Sequence, residues 1–303
     1  LIEDGIYRTM ASWRTSWRSY ASAFRLWGDV MTALGLPIEN PSADAVAMFS
    51  RCFLNGDTME RYLNNVRNVF RWLDIEVGAI HESRCRSLIR GVKKLTPAEA
   101  KRPKYGATAL QTRQLVRWLR SRRLGVLADS FVVARHFCLR FASECLALKF
   151  SSTKSSLRVN AKSAVLSITR KSTGNEIQEI VRTCMCEKWD PDLCGVCLLR
   201  RLQKAKSCNT VFPGLTYPMA LMWLREGASA LSWKDPSNWG THAFRRGAAR
   251  EAFQYGGLAA LMHAGGWKSR GGAMRYLEKR QLSALEQAEY IIELSDEEGE
   301  DHE

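Results

Sequence analysis

The 303-residue sequence holds no apolar run of about eighteen residues, the length at which a helix can cross a bilayer, so no transmembrane helix is expected. The opening LIEDGIYRTM lacks both a leader pattern and an initiator Met; the chain is expected to be a fragment or processed form whose N-terminal address lies elsewhere. No internal repeat is present, so a repeat architecture is not expected. Acidic residues are in short supply: 31 Asp and Glu face 45 Lys and Arg, for a net charge of +14. Six of those acids crowd into the C-terminal SDEEGEDHE, which has no Lys or Arg, leaving the remainder at about +20. Such a surplus suits a polyanion, most simply nucleic acid, because each neutralised phosphate releases a condensed counterion. A generally basic protein with no nucleic-acid partner is the alternative. The tail, residues 295–303, reads as disordered and solvated, and it can shield the basic surface of the free chain.

What is present organises the rest. Residues 1–92 read as helical, with Trp13, Trp17, Tyr20, Phe24 and Trp27 at helical spacing on a long helix ended by Gly35 and Pro37. A second helix opens at Asp57-Thr58, with Tyr62, Val66, Phe70 and Leu73 on one stripe, and a third surrounds ESRCRSLIRGVKK. These aromatic and aliphatic stripes are expected to be core. Arg14, Arg18, Arg67 and Arg71 between them are candidate phosphate contacts, set against the commoner role of solvated Arg on a helix face. Residues 93–108, KKLTPAEAKRPKYGAT, read as a basic interdomain linker, in which Lys101, Arg102 and Lys104 can cross a phosphate backbone. Helices are expected over 109–122 and 126–149, then a hairpin over VLSITRKSTGNEI, and helices again from the Cys-rich insertion at about 184–197 to about 294. The fold class is therefore mainly α with a small β-hairpin or sheet (α+β).

One stretch, residues 240–280, concentrates chemistry. His242 and Arg245 share a helix face near its positive end, where an imidazole and a planar two-pronged donor suit a phosphate. Gly256-Gly257 and Gly265-Gly266 break the following segment into short helices that can fold Trp267, and Tyr276 nine residues later, back against that pair. His-x-x-Arg, then a His-or-Trp position, then Tyr nine residues on resembles the C-terminal signature of the tyrosine recombinase/integrase family. LRFASECLALKFSS is similar to that family's first-Arg helix, with Arg140 and Glu144 in the expected roles. Here three residues separate that Arg from the Glu where the family usually has two, and Arg135 is the alternative Arg. Lys171 stands where the family's hairpin Lys is expected, with Arg170 or Lys162 as substitutes. The Gly-Gly-Trp-Lys-Ser-Arg phrase and the Cys-rich insertion look most like eukaryotic mobile-element recombinases of the crypton or DIRS-like kind.

The resemblance implies a helical core-binding domain (1–92) and a catalytic domain (109–294) that form a C-shaped clamp on double-stranded DNA, as a dimer on each site and a tetramer in synapse. It implies a nuclear protein if eukaryotic, otherwise a cytoplasmic one. It implies that Tyr276 attacks a phosphodiester to give a 3′-phosphotyrosyl bond, with Arg140 and Arg245 clamping the non-bridging oxygens. Lys171 would protonate the leaving 5′-oxygen, His242 would serve as acid/base at the tyrosine, and Trp267 would donate its indole N–H. No cofactor is expected for catalysis. Tyr255 and Tyr290 are rival nucleophiles without the Trp-to-Tyr spacing. A helix over QLSALEQAEYIIEL, with Leu282, Leu285, Ala288 and Ile292 on one stripe, packs either within the chain or onto a neighbouring protomer. Rival functions are a type IB topoisomerase-like relaxation enzyme and an inactive, domesticated DNA-binding module.

Nine Cys are expected to be mostly reduced, with Cys52, Cys85, Cys138, Cys145 and Cys208 as small core residues. Cys184, Cys186, Cys194 and Cys197 form two short chelating pairs that suit a closed structural Zn(II) site; reduced free thiols are an equal alternative and disulfides a lesser one.

Overall fold

The computed structural model describes residues 2–39, 43–75, 79–96, 104–169, 177–187 and 191–277. The chain divides into two compact units, Leu1–Arg102 and Pro103–Glu303. As expected, it is mainly helical with one small antiparallel sheet.

The first unit comprises α1 (Ile2–Ala33), α2 (Ala43–Ser50), α3 (Gly56–Trp72) and α4 (Ala79–Leu95). Its centre is Trp27, fully buried, with the rings of Phe49 and Phe70 edge-on at 5.3 and 5.7 Å and its indole N–H donating to the Ile38 carbonyl. Gly35, at φ 64°, turns the chain after α1 in a conformation that costs glycine nothing. The Asn55 side chain caps α3 by accepting from the N–H groups of Asp57 and Thr58. The side chain of Trp13 lies outside the described residues; among the others of the expected stripes, two are not core. Trp17 is 54% exposed, because the covered face of α1 runs through Ala23, Trp27 and Met31, further along the helix. Leu73 is 47% exposed, because it caps α3 rather than continuing it. The expected linker also starts too early: Lys93, Lys94 and Leu95 complete α4, where Lys93 pairs with Glu60. Its basic composition masked a helix whose ionic partners lie on α3.

The second unit is built around α6 (Gly125–His136), whose residues Leu127–Arg135 are all buried beneath α5 (Ala109–Ser121), α7 (Gly195–Lys204) and α9 (His242–Gly265). Thr108 and Gln111 form a reciprocal capping box at the start of α5. Tyr105 and Ala107, assigned to the linker by composition, belong to this unit: Tyr105 stacks on Trp239 and the Ala107 N–H donates to the Ala243 carbonyl. Strands β1 (Ser155–Val159), β2 (Ser163–Thr169) and β3 (Ile177–Thr183) pair in that order, all antiparallel, so the expected hairpin gains a third strand. Ala164, Leu166 and Ile168 are the inward face of β2, while Val165 pairs with Val181 on the other face. The described residues of this unit also form α8 (Tyr217–Ala230) and the short α10 (Arg270–Met274).

The helix expected over 126–149 is broken. It ends at His136, Cys138 takes φ 52°, and a single π-turn spans Phe141–Cys145. Cys52 and Cys208, expected in the core, are exposed because each lies in a turn just past a helix end; Cys85, Cys138 and Cys145 are buried as expected.

Candidate active site

Arg245 is the hub of the second unit. It projects from the first turn of α9 and is only 1% exposed, against the usual tendency of Arg to remain in water. Its Nη1 donates to the Cys138 carbonyl (2.5 Å) and to Glu144 Oε2 (3.3 Å), and its Nη2 donates to the Gly265 carbonyl (3.1 Å). Its Nε–H has no hydrogen-bond partner among the described residues. The rings of Trp267 and Tyr276 lie over the guanidinium at 4.8 and 5.5 Å, and over each other at 4.7 Å.

The two glycine pairs produce this convergence. Gly256 and Gly257 leave helical geometry, Gly257 at φ 61° and ψ −154°, so α9 is two helical segments joined at a kink. Gly266, at φ 62°, ends the second segment with a left-handed cap. A Cβ on Gly265 would stand 1.9 Å from the Trp267 ring, so the ring can lie down only against glycine. The short α10, capped by Ser269, then returns Tyr276 to the Arg245 side.

Arg140 reaches the same place from the far side of α6. Glu144, buried to 4%, accepts from the Arg140 backbone N–H (2.8 Å) and from its Nη1 (3.2 Å) while also receiving Arg245. One carboxylate therefore ties together two guanidiniums 105 positions apart in the chain. The three-residue interval between Arg140 and Glu144 has a structural counterpart. The Cys145 and Leu146 N–H groups donate five residues back, to the Arg140 and Phe141 carbonyls. A π-turn is an α-turn with one extra residue, so it takes up that residue while Arg140 still meets Glu144. Arg135, the alternative, is 7% exposed and committed to the Ala107 carbonyl and Glu251.

His242 stands exposed at the first position of α9. Partial desolvation first, then the charges of Arg246, Arg245 and Arg140, pull its pKa below the ordinary imidazole value, with Glu144 opposing. Its neutral form, able to accept a proton, is thus favoured near neutrality.

The structure thus gathers Arg140, Glu144, His242, Arg245, Trp267 and Tyr276. Tyr255 is 78% exposed on α9 and takes no part. Lys171, Lys101, Arg102 and Tyr290, the segment bearing Leu282 and the acidic tail lie outside the described residues, as does the side chain of Arg14. Arg18 and Arg71 are exposed on α1 and α3, Arg67 is half-buried beside Asn64, and Lys104 is exposed. The sulfurs of Cys184, Cys186, Cys194 and Cys197 all lie within 4.8 Å of one another.

Cys138 was not singled out by its sequence. Its left-handed backbone turns its carbonyl onto Arg245, and its thiol lies 3.6 Å from the Arg245 carbonyl. A Cys in an apolar run carries no signal for either contact.

No family model matches the chain by sequence, and no curated protein does either. Solved structures match by fold. A lambda integrase dimer bound to a COC′ core site superposes at a TM-score of 0.62 and 14% identity, over 91% of this chain and 76% of that one. The Tn1549 transposon integrase in complex with circular intermediate DNA gives 0.56 and 12%, over 90% and 99%. The XerH site-specific recombinase bound to its difH substrate gives 0.53 and 14%, over 84% and 71%.

Proposed function

From the premise that the chain has the fold of the tyrosine recombinases and integrases, we propose that it cleaves and rejoins double-stranded DNA through a phosphotyrosyl intermediate. The support comes from one point in the structure: the Arg245 guanidinium, which Glu144 ties to Arg140 and over which the Tyr276 ring lies. A phosphodiester repels nucleophiles by its own charge, so a catalyst must neutralise the non-bridging oxygens and hold the attacking oxygen in line. Glu144 offsets one of the two positive charges and fixes the geometry of both; the remaining charge can meet a phosphate through Arg140, which is partly exposed where Arg245 is buried.

In this scheme the Tyr276 phenol oxygen bonds to phosphorus while its proton passes to neutral His242. The bond from phosphorus to the 5′-oxygen breaks, and Lys171 protonates that oxygen. A 5′-hydroxyl from a partner strand reverses both transfers and joins new ends. Because the ester conserves the bond energy, the step needs neither ATP nor a metal. Trp267 cannot transfer a proton near neutrality; it packs the site and offers one N–H donor. The charge surplus suits a DNA partner, strand exchange calls for more than one protomer, and integration or excision of a mobile element is the role this chemistry fits best.

A nicked duplex that loses its short 5′-hydroxyl fragment on cleavage tests the scheme by trapping the ester. The wild-type chain should form a covalent adduct mapped to Tyr276. Tyr276→Phe should bind the duplex equally and form none. An adduct that persists in Tyr276→Phe, or wild-type binding without any adduct, rejects the proposal.

A further inference from the structure

The four-cysteine cluster takes no part in the chemistry above, and its position gives it a separate meaning. Cys184 directly follows β3, and its N–H donates to the Lys162 carbonyl in the β1–β2 turn. Cys186 lies in the turn that follows; Cys194 is the N-cap of α7, and Cys197 lies in its first turn. The sulfurs of Cys184 and Cys194 are 3.7 Å apart, those of Cys184 and Cys197 3.5 Å, and those of Cys186 and Cys197 3.1 Å. A tetrahedral thiolate zinc, with bonds of about 2.3 Å, requires sulfurs separated by about 3.8 Å. A disulfide requires about 2.05 Å, and all four cysteines are free. Neutral thiols gain little from converging as a foursome, whereas a divalent cation binds four thiolates strongly.

We propose that Cys184, Cys186, Cys194 and Cys197 hold one structural Zn(II), which pins the end of β3 to the start of α7 and so braces the back of the Arg245 site. Four sulfur ligands close the coordination sphere, so the ion has no place for water or substrate. The brace runs through two residues. Gly195, inside the second ligand pair, packs so closely on His136 that a Cβ would approach its side chain to 2.9 Å; His136 ends α6, two residues before Cys138. Arg182, two residues before Cys184, donates from Nε to the His136 carbonyl (3.2 Å) and from Nη2 to the Ala264 carbonyl (2.6 Å). Ala264 adjoins Gly265, whose carbonyl holds Arg245. Zinc binding itself is independent of the recombination scheme, and so is its test.

Metal analysis of the full chain, purified under reducing conditions, should find one zinc per chain. Cobalt substituted for it should show the strong visible absorption of a tetrahedral thiolate site. Cys194→Ser should abolish stoichiometric zinc, and Cys208→Ser, at an exposed cysteine outside the cluster, should keep it. Should Cys194→Ser fail to fold, stripping zinc from the wild-type chain with a chelator serves instead, and readdition should restore the melting temperature. Chains without zinc after reduction and zinc loading, or zinc retained in folded Cys194→Ser, overturn the site. Hydrogen exchange tests the brace: zinc removal should expose amides of β3, of the start of α7 and of residues 264–267, leaving α1–α4 unchanged. Zinc that binds but leaves 264–267 equally protected overturns the brace alone.

Discussion

Glu144 carries more of the site than either arginine. A buried carboxylate is tolerable only with its charge matched, and here two guanidiniums and a backbone N–H match it. Glu144→Gln keeps the shape and removes the charge, leaving Arg245 buried without an anion. The expected cost is about 3 kcal/mol, because Arg140 can turn partly to water while Arg245 cannot. For a chain of this size that corresponds to a fall in melting temperature of roughly 5 °C, measurable by calorimetry; an unchanged Tm means that Glu144 was not compensating the arginines. His242 yields a prediction of opposite character. Its pKa lies below the ordinary imidazole value, so the ring takes up its proton at a lower pH than a free His does. A base must be neutral to act, so the acid fall in the rate of adduct formation should come at a lower pH than an ordinary imidazole would set. His242→Gln should lower the plateau and flatten the acid limb. The folded state likewise disfavours protonated His242, so its effect on stability is felt on acidification and disappears above the ordinary imidazole pKa. A rate that already falls through the ordinary imidazole range would show that His242 is not the base.

At the scale of elements, the π-turn at Phe141–Cys145 is the departure with a physical explanation. It inserts one residue while preserving the Arg140–Glu144 contact, so the insertion should be removable. Ala142 is exposed, and its deletion should close the turn to α-helical geometry, with Arg140 still one turn from Glu144. Adduct formation should stay within about tenfold of wild type, and deletion of buried Val132 from α6 provides the destructive comparison. Loss of activity on both deletions means that the π-turn is required for its own geometry. What could be read in advance follows the same division. His242, Arg245, Trp267 and Tyr276 lie within 35 positions, and glycine pairs that admit only particular backbones announce the folding back. The break in the helix after His136 was hidden, because Phe137, Cys138 and Leu139 all favour burial and nothing local marks Cys138 for a left-handed turn. That turn forms because the Cys138 carbonyl meets Arg245, a contact made 107 positions away. The boundary at Lys93 was obscured likewise, since basic composition says nothing about Glu60 across the unit.

Across the whole molecule, the proposed function assigns affinity to charge and chemistry to the hub, and the two should separate experimentally. Arg18 and Arg71 are exposed on α1 and α3, in the unit that does not contain Arg245, within a chain whose surplus excluding the tail is about +20. For a duplex, the logarithm of the binding constant should fall linearly with the logarithm of salt, by about 0.9 per phosphate neutralised. If both side chains sit on phosphates, Arg18→Ala with Arg71→Ala should reduce that slope by roughly two and weaken binding most at low salt. Adduct formation at saturating DNA should be unaffected, because both residues belong to the unit that lacks Arg245 and Tyr276. Arg245→Lys should do the reverse: a point charge cannot reproduce the contacts to Cys138, Glu144 and Gly265, so chemistry should fail while the salt slope stays within error. Fluorescence anisotropy across a salt series, paired with trapped-adduct yields, measures both. A slope unchanged in the Arg18/Arg71 double variant would assign those side chains to solvent and move the DNA-facing surface elsewhere on the basic chain.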